Sequence, residues 1–208
     1  MTQHQEQLAA LQEIRSIMDR SARFISLSGL SGISAGIVAL AGAGATKWYF
    51  NQHNLQYPDV YSTPVNTETG VFLAIVAATV LVLAISVAIY FSYRKALKVK
   101  QSIWSSQGKR LVINLCIPLA VGGFFCLTLL YHGIIFLIAP AMLIFYGLAL
   151  INSSKYTFSD IRYLGLCQIA LGLITCFFRE YGLLSWTIGF GVLHIVYGAM
   201  MYYKYEKA

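Results

Sequence analysis

The sequence predicts an all-α fold, a polytopic transmembrane bundle of six helices built from three hairpins. Three observations predict it. Six blocks of roughly 18 to 22 apolar residues fill most of the 208-residue chain, and at about 1.5 Å of rise per residue each can cross a hydrocarbon core of about 30 Å. No Asp, Glu, Lys or Arg lies inside the core of any block. Hydrophobic residues make up 58% and charged residues 11% of the chain, whereas a soluble domain carries about a quarter charged residues. The spans read as 25–46, 70–91, 111–131, 134–152, 161–178 and 183–203.

The net charge of +7 would suggest an acidic partner such as nucleic acid in a soluble protein, so the placement of the basic residues decides its meaning. Arg15, Arg20 and Arg23 precede the first span, and Arg94, Lys95, Lys98, Lys100, Lys109 and Arg110 lie between the second and third. Lys155 and Arg162 lie between the fourth and fifth, and Lys204 and Lys207 follow the sixth. These thirteen of the fifteen basic residues fall on one side, while Lys47 and Arg179 flank the other. The positive-inside rule then puts both termini in the cytoplasm. No aromatic-interleaved basic motif accompanies the charge, which excludes nucleic acid as the expected partner. Membrane lipids, including anionic headgroups, are the expected one, each basic residue near the surface adding about 1 kcal/mol of attraction.

Residues 1–24 come first. Leu8, Leu11, Ile14, Met18 and Ala22 recur at helical spacing among Gln, Glu and Arg, which predicts an amphipathic helix on the inner leaflet or docked on the bundle. In the first span, Ser28, Gly32, Gly36, Ala39 and Ala43 form a stripe of small residues. Such a stripe lets a neighbouring backbone approach closely, either another span or a second copy of the chain. Ala41-Gly42-Ala43 resembles a signal-peptidase site, but the apolar block is too long and too far from the start for a signal peptide.

The connection after residue 46 carries Trp48, Tyr49, Phe50, Tyr57 and Tyr61, aromatic residues suited to the outer interface. Pro118 and Pro140 predict kinks in the third and fourth helices, with freed carbonyls that a neighbouring group must satisfy. His132-Gly133 and Arg179–Gly182 are the other outer turns, and 204–208 is a cytoplasmic tail. The four cysteines, Cys116, Cys126, Cys167 and Cys176, all fall within spans, where a disulfide framework is not expected.

Spans three to six show internal similarity at an offset of about 50 residues. Leu115-Cys116-Ile117-Pro118 aligns with Leu166-Cys167-Gln168-Ile169, and Tyr146-Gly147 aligns with Tyr197-Gly198. Leu30-Ser31-Gly32-Ile33 extends the alignment to the first hairpin, with Tyr90 against Tyr197. Copies of a two-span hairpin keep one orientation and are related by an axis along the membrane normal. The repeat is either twofold or threefold.

Candidate functional residues are few. His194 falls near the middle of the sixth span, where even a neutral imidazole requires a partner. Proton relay, metal or haem ligation, and solute contact compete with an interhelical hydrogen bond. His132 lies at an outer turn, far in depth for a second haem ligand, and no His joins Cys116 or Cys167 in a metal set; neither a metal nor a cofactor is expected. Gln168 and Asn114 occupy inner-leaflet positions that the repeat makes similar, which suggests a shared polar cluster. Without charge, a path lined by them and by Thr79, Ser86, Thr128, Thr175 and Thr187 would suit a neutral or lipid-like solute better than an ion.

The tetrapeptide Gly29-Leu30-Ser31-Gly32 resembles the Gly-x-Ser-Gly of rhomboid-type intramembrane proteases, which also have six core spans and take their histidine from the last. That resemblance implies Ser31 as nucleophile and His194 as base. It covers four residues. Rhomboids carry the motif on the fourth core span and add a His/Asn oxyanion motif, whereas here it lies on the first span and no such motif is found. The run Arg20–Gly32 resembles the start of a group of uncharacterised bacterial six-span membrane proteins, which implies a bacterial inner membrane and brings no activity with it.

The absence of intramembrane charge makes a non-enzymatic accessory, sensory or scaffolding protein the leading expectation, with a protein partner or homo-oligomer as its counterpart. A transporter or channel for a small neutral or lipid-like molecule is the first alternative, and a hydrolase using Ser31 and His194 the second.

Overall fold

The computed structural model describes residues 5, 7, 28–55, 67–98 and 104–207. The amphipathic segment 1–24, the first residues of the first span, and Tyr57, Asp59 and Tyr61 of the outer connection lie outside the described residues, apart from Gln5 and Gln7, which are helical. The described residues are all-helical, without a strand. Helix α1 covers Gly29–Gln52, α2 Thr67–Lys98, α3 Ser106–Tyr131, α4 Ile138–Ser153 and α5 Ile161–Phe177. The sixth span is composite. A short α6, Gly182–Trp186, runs into a π-helical stretch, Thr187–Leu193, and then into α7, His194–Tyr205.

Five helices are long and apolar enough to cross a membrane: Gly29–Gln52, Glu68–Lys98, Ser106–Tyr131, Ile135–Tyr156 and Arg179–Tyr205. The fifth predicted span, Ile161–Phe177, is apolar but shorter, at 17 residues. Several helices outrun their predicted limits. Helix α1 continues through Lys47, Trp48, Tyr49 and Phe50, which the sequence assigned to a loop, and α2 and α3 extend into the basic connection. Hydropathy stops at the first charges, but the backbone hydrogen-bond ladder need not.

Tyr49 stacks on Phe72 of α2, with ring centroids 4.0 Å apart, and Phe50 is buried. These rings close one end of the α1–α2 pair. Of the two prolines, Pro118 lies inside α3. Pro140 instead falls in the first turn of α4, where a missing N–H costs little, so the kink predicted there has no cause.

Packing follows the small residues. Helix α1 lies between α2 and the sixth span, and α4 lies between α3 and α5. Gly42 faces Val76 and Val80 of α2. Gly36 faces the Gly191 carbonyl and Ile195, and Gly32 faces Gly198. The stripe Ser28, Gly32, Gly36 is thus turned to the sixth span of its own chain. In α5, Gly172 faces the Pro140 carbonyl and Ile144, and Gly165 faces the Gly147 carbonyl and Ile151. The α1 contacts repeat that order: Gly36 against Gly191 and Ile195, then Gly29 against Gly198 and Tyr202. A Cβ at Gly36 would sit 2.7 Å from the Gly191 oxygen, and one at Gly172 would sit 2.9 Å from the Pro140 oxygen. Both interfaces need glycine because backbone meets backbone.

An apolar cluster of Leu150, Ile161 and Leu164, with Leu115, Tyr146, Leu193 and Tyr197 against it, fills one end of the bundle. By contrast, none of the apolar window of α2 is buried, and 6% of that of α3 is. Helices α2 and α3 do not pack extensively on each other.

Candidate functional site

The π-helical stretch organises the interior. A π turn shifts hydrogen bonds from i+4 to i+5 and redirects carbonyls. At its third residue, the Gly189 carbonyl accepts from Gln168 Nε2 at 2.8 Å and from His194 Nδ1 at 2.9 Å. The Nδ1–H tautomer leaves Nε2 of His194 as an acceptor, and the Tyr146 hydroxyl of α4 donates to it at 2.7 Å. Phe190 stacks on the imidazole at 6.0 Å and lies 5.1 Å from the Tyr146 ring.

Glycine at 189 leaves room for two buried side chains to close on this carbonyl. A Cβ there would collide with Leu143 and lie 2.6 Å from Gln168 Oε1. Gln168 and Leu143 are wholly buried and His194 is buried. The cluster therefore joins α4, α5 and the sixth span, with Tyr146 partly buried at its α4 side. Two buried oxygens, Gln168 Oε1 and Tyr197 Oη, have no hydrogen-bond partner among the described residues.

The sequence candidates fall into separate places. Gln168 and His194 meet on one carbonyl. Asn114 does not join them: its Nδ2 donates to the Arg110 carbonyl at 2.8 Å, and its own oxygens accept from Asn152 Nδ2 at 2.9 and 3.2 Å. Gln168 is turned to the sixth span and Asn114 to α4, so they share no partner. Ser31 donates to the Ser28 carbonyl at 2.5 Å, while both ring nitrogens of His194 are engaged elsewhere; no hydrogen bond joins this serine to this histidine. Ser86, Thr128, Thr175 and Thr187 each bond the carbonyl four residues back in their own helix.

Two partners escaped the sequence reading. Tyr146 looked like one more aromatic residue of an apolar helix, although its place in the Tyr146-Gly147 and Tyr197-Gly198 match was a signal. Glu206 lay in the tail. Its carboxylate accepts from the Gly29 N–H and from the Ser28 hydroxyl at 3.2 Å, and pairs with Lys95 at 3.2 Å. It thereby caps α1 and ties it to α2 and α7, as a negative charge at a helix N-terminus favours. At the same end of the bundle, Asp160 accepts from Lys204 and Tyr205, both at 2.8 Å. The Lys204 hydrogen bond, opposed by partial burial and aided by Tyr205, holds the Asp160 carboxyl below its ordinary range.

Among the described residues no group of three or more His, Cys, Asp or Glu side chains is placed to hold a metal, and the four cysteines are free. Comparison of the chain with protein-family models, curated proteins and solved structures gives no match.

Proposed function

We propose that the chain is a non-enzymatic integral protein of the bacterial inner membrane, acting as an accessory, sensory or scaffolding component. Its two termini are cytoplasmic and its six spans form three hairpins, a pseudo-threefold repeat supported by the matched glycine contacts of α1 on the sixth span and of α5 on α4. One observation carries the reading. Both ring nitrogens of His194 are consumed by internal hydrogen bonds, which leaves the imidazole no lone pair or proton for a substrate. Polar groups committed in this way specify helix partners and add interhelical stability of about 0.6 to 2 kcal/mol each.

A transporter or channel for a small neutral or lipid-like molecule is the second reading. It is favoured by Gln168 Oε1 and Tyr197 Oη, buried acceptors without partners among the described residues, since such groups are costly in an interior that never meets a polar solute.

The test combines three measurements on the purified full chain. Proteoliposome flux of neutral solutes should stay at the level of empty vesicles and be unaltered by His194→Ala. A fluorophosphonate probe should leave Ser31 unlabelled. Photo-crosslinkers placed along α2 in cells should give one discrete protein adduct. Flux abolished by His194→Ala would replace the accessory reading with transport, and labelling of Ser31 dependent on His194 would replace it with hydrolysis.

A further inference from the structure

Two of the three interfaces expected of a pseudo-threefold bundle are formed, α5 on α4 and α1 on the sixth span, and the third, α3 on α2, is not. The alignment of Leu115 with Leu30 and Leu166 gives the reason. Where α1 has Gly29 and Gly36 and α5 has Gly165 and Gly172, α3 has Asn114 and Val121. These positions therefore lack the small residues that bring backbone against backbone in the other two interfaces, and Asn114 is engaged by Asn152 of α4 instead.

The face left open on α3 is not flat. Pro118 and Val121 of α3, with Phe145 and Leu148 of α4, line an open groove of about 420 Å³ that ends at Asn152 and Lys155. Val121 and Leu148 are 56% and 43% exposed, so the groove faces the surroundings of the bundle. Its lining is apolar as far as Asn152 in the last turn of α4, and Lys155 of the following Ser154–Tyr156 turn stands beyond it.

The polar end carries more charge than Lys155. Helix α3 packs on the Ser154–Tyr156 turn, and the Asn114–Asn152 hydrogen bonds put Arg110 one helical turn away, through the Asn114 bond to its carbonyl. Lys109, Arg110 and Lys155 are all exposed, and the ion pairs Lys95–Glu206 and Lys204–Asp160 do not involve them. An open apolar groove that ends at the exposed ammonium group of Lys155, with Lys109 and Arg110 at the same end of α3, matches an acyl chain that carries an anionic headgroup.

The geometry points to a specific binding site for an anionic glycerophospholipid, one acyl chain lying along Pro118, Val121, Phe145 and Leu148 and the phosphate meeting Lys155 beside Asn152. The inference rests on the reading of the chain as an inner-membrane protein, whose cytoplasmic leaflet is anionic. A second copy of the chain would need its own helix in the trough, and Val121 stands in the way. The lipid would cover the exposed side of α3 where it adjoins α4.

Native mass spectrometry of the detergent-purified full chain tests this with phosphatidylglycerol and phosphatidylcholine of identical acyl chains. Phosphatidylglycerol should be retained about fivefold more per cation engaged, and Lys155→Gln should lower its retention about fivefold without affecting phosphatidylcholine. Val121→Trp should reduce both adducts, whereas Ile174→Trp, on the exposed face of α5, should reduce neither. Should Val121→Trp fail to elute as a folded species, Leu148→Trp probes the same trough. Equal retention of the two lipids, a preference undiminished by Lys155→Gln, adducts indifferent to the trough substitutions, or a dimer lost on Val121→Trp would each overturn the proposal. The readout is independent of flux and of partner capture, so the lipid site and the accessory role fail separately.

Discussion

Asn152 Nδ2 donates to the backbone carbonyl of Asn114 at 2.9 Å, the carbonyl that Pro118, four residues later, leaves without its helical N–H. A side chain on α4 thus completes the ladder of α3. Asn152→Ala should lower the stability of the purified protein by about 0.6 to 2 kcal/mol, the range of interhelical hydrogen bonds in membranes. Pro118→Ala returns the missing donor to α3, so in that background the same substitution should cost far less. Thermal unfolding in detergent of the four proteins of this double-mutant cycle measures the coupling. Additive losses would mean that the amide does not serve the carbonyl.

How much of this was readable beforehand differs from residue to residue. That Pro118 would orphan a carbonyl followed from proline chemistry, but that Asn152 would meet it depended on the pairing of α3 with α4. The same holds for His194: its need for a partner was plain from depth alone, whereas Tyr146 is a partner only because α4 packs beside the sixth span. The π-helical stretch Thr187–Leu193 left no mark in the sequence pattern, because its residues are as apolar as those of the α-helices around it. Helix ends were missed at Lys47–Gln52 and ahead of Arg110 because charge ends a hydropathy window without ending a helix. The stripe of Ser28, Gly32 and Gly36 was visible as a packing face, though not which helix it meets.

The glycines make a graded prediction. Gly36 and Gly172 face carbonyls of the neighbouring helix, whereas Gly44 and Gly123 have nothing within 4 Å of an added Cβ. Gly36→Val and Gly172→Val should each destabilise the bundle by about 1 to 3 kcal/mol through overpacking. Gly44→Val should be close to neutral. Equal effects at Gly36 and Gly44, measured by thermal unfolding in detergent, would contradict the placement of α1 against the sixth span.

Tyr146 and His194 offer a test of the interior. Tyr146→Phe keeps the ring contacts with Phe190 and removes only the donor to Nε2. Its cost should be about 0.6 to 2 kcal/mol in the parent and near zero once His194→Phe has removed the acceptor. A full cost in the His194→Phe background would show the hydroxyl bonded to something else.

Glu206 reaches three elements at once. Glu206→Gln retains the shape and an acceptor for the Gly29 N–H but removes the charge facing both Lys95 and the α1 N-terminus. The side chains of Lys95 and Glu206 are 11% and 15% exposed, so the ion pair is poorly screened and its loss leaves a largely buried ammonium group. The expected cost is about 2 to 4 kcal/mol, below the full penalty of a buried unpaired charge because other polar groups remain. Lys95→Met with Glu206→Gln should recover part of it. Salt-insensitive unfolding of the parent would agree with the burial; a steep dependence on ionic strength would contradict it.

Asp160 gives the acid limb of stability its sign. The carboxylate at the start of α5 is held below its ordinary pKa first by the Lys204 hydrogen bond, with Tyr205 assisting and partial burial opposing. A group whose folded pKa is depressed binds its proton more readily in the unfolded chain. Its contribution is therefore fully present above the unfolded value of about 3.9 and is lost as pH falls through the lower, folded value. The contribution is small, since the Lys204 side chain is 58% exposed and water screens the pair. Between pH 6 and pH 3 the unfolding temperature of the parent should fall more than that of Asp160→Asn, and the two curves should converge at the acid end. Parallel curves across that interval would show that the tie between α5 and α7 does not depend on the charge of this carboxylate.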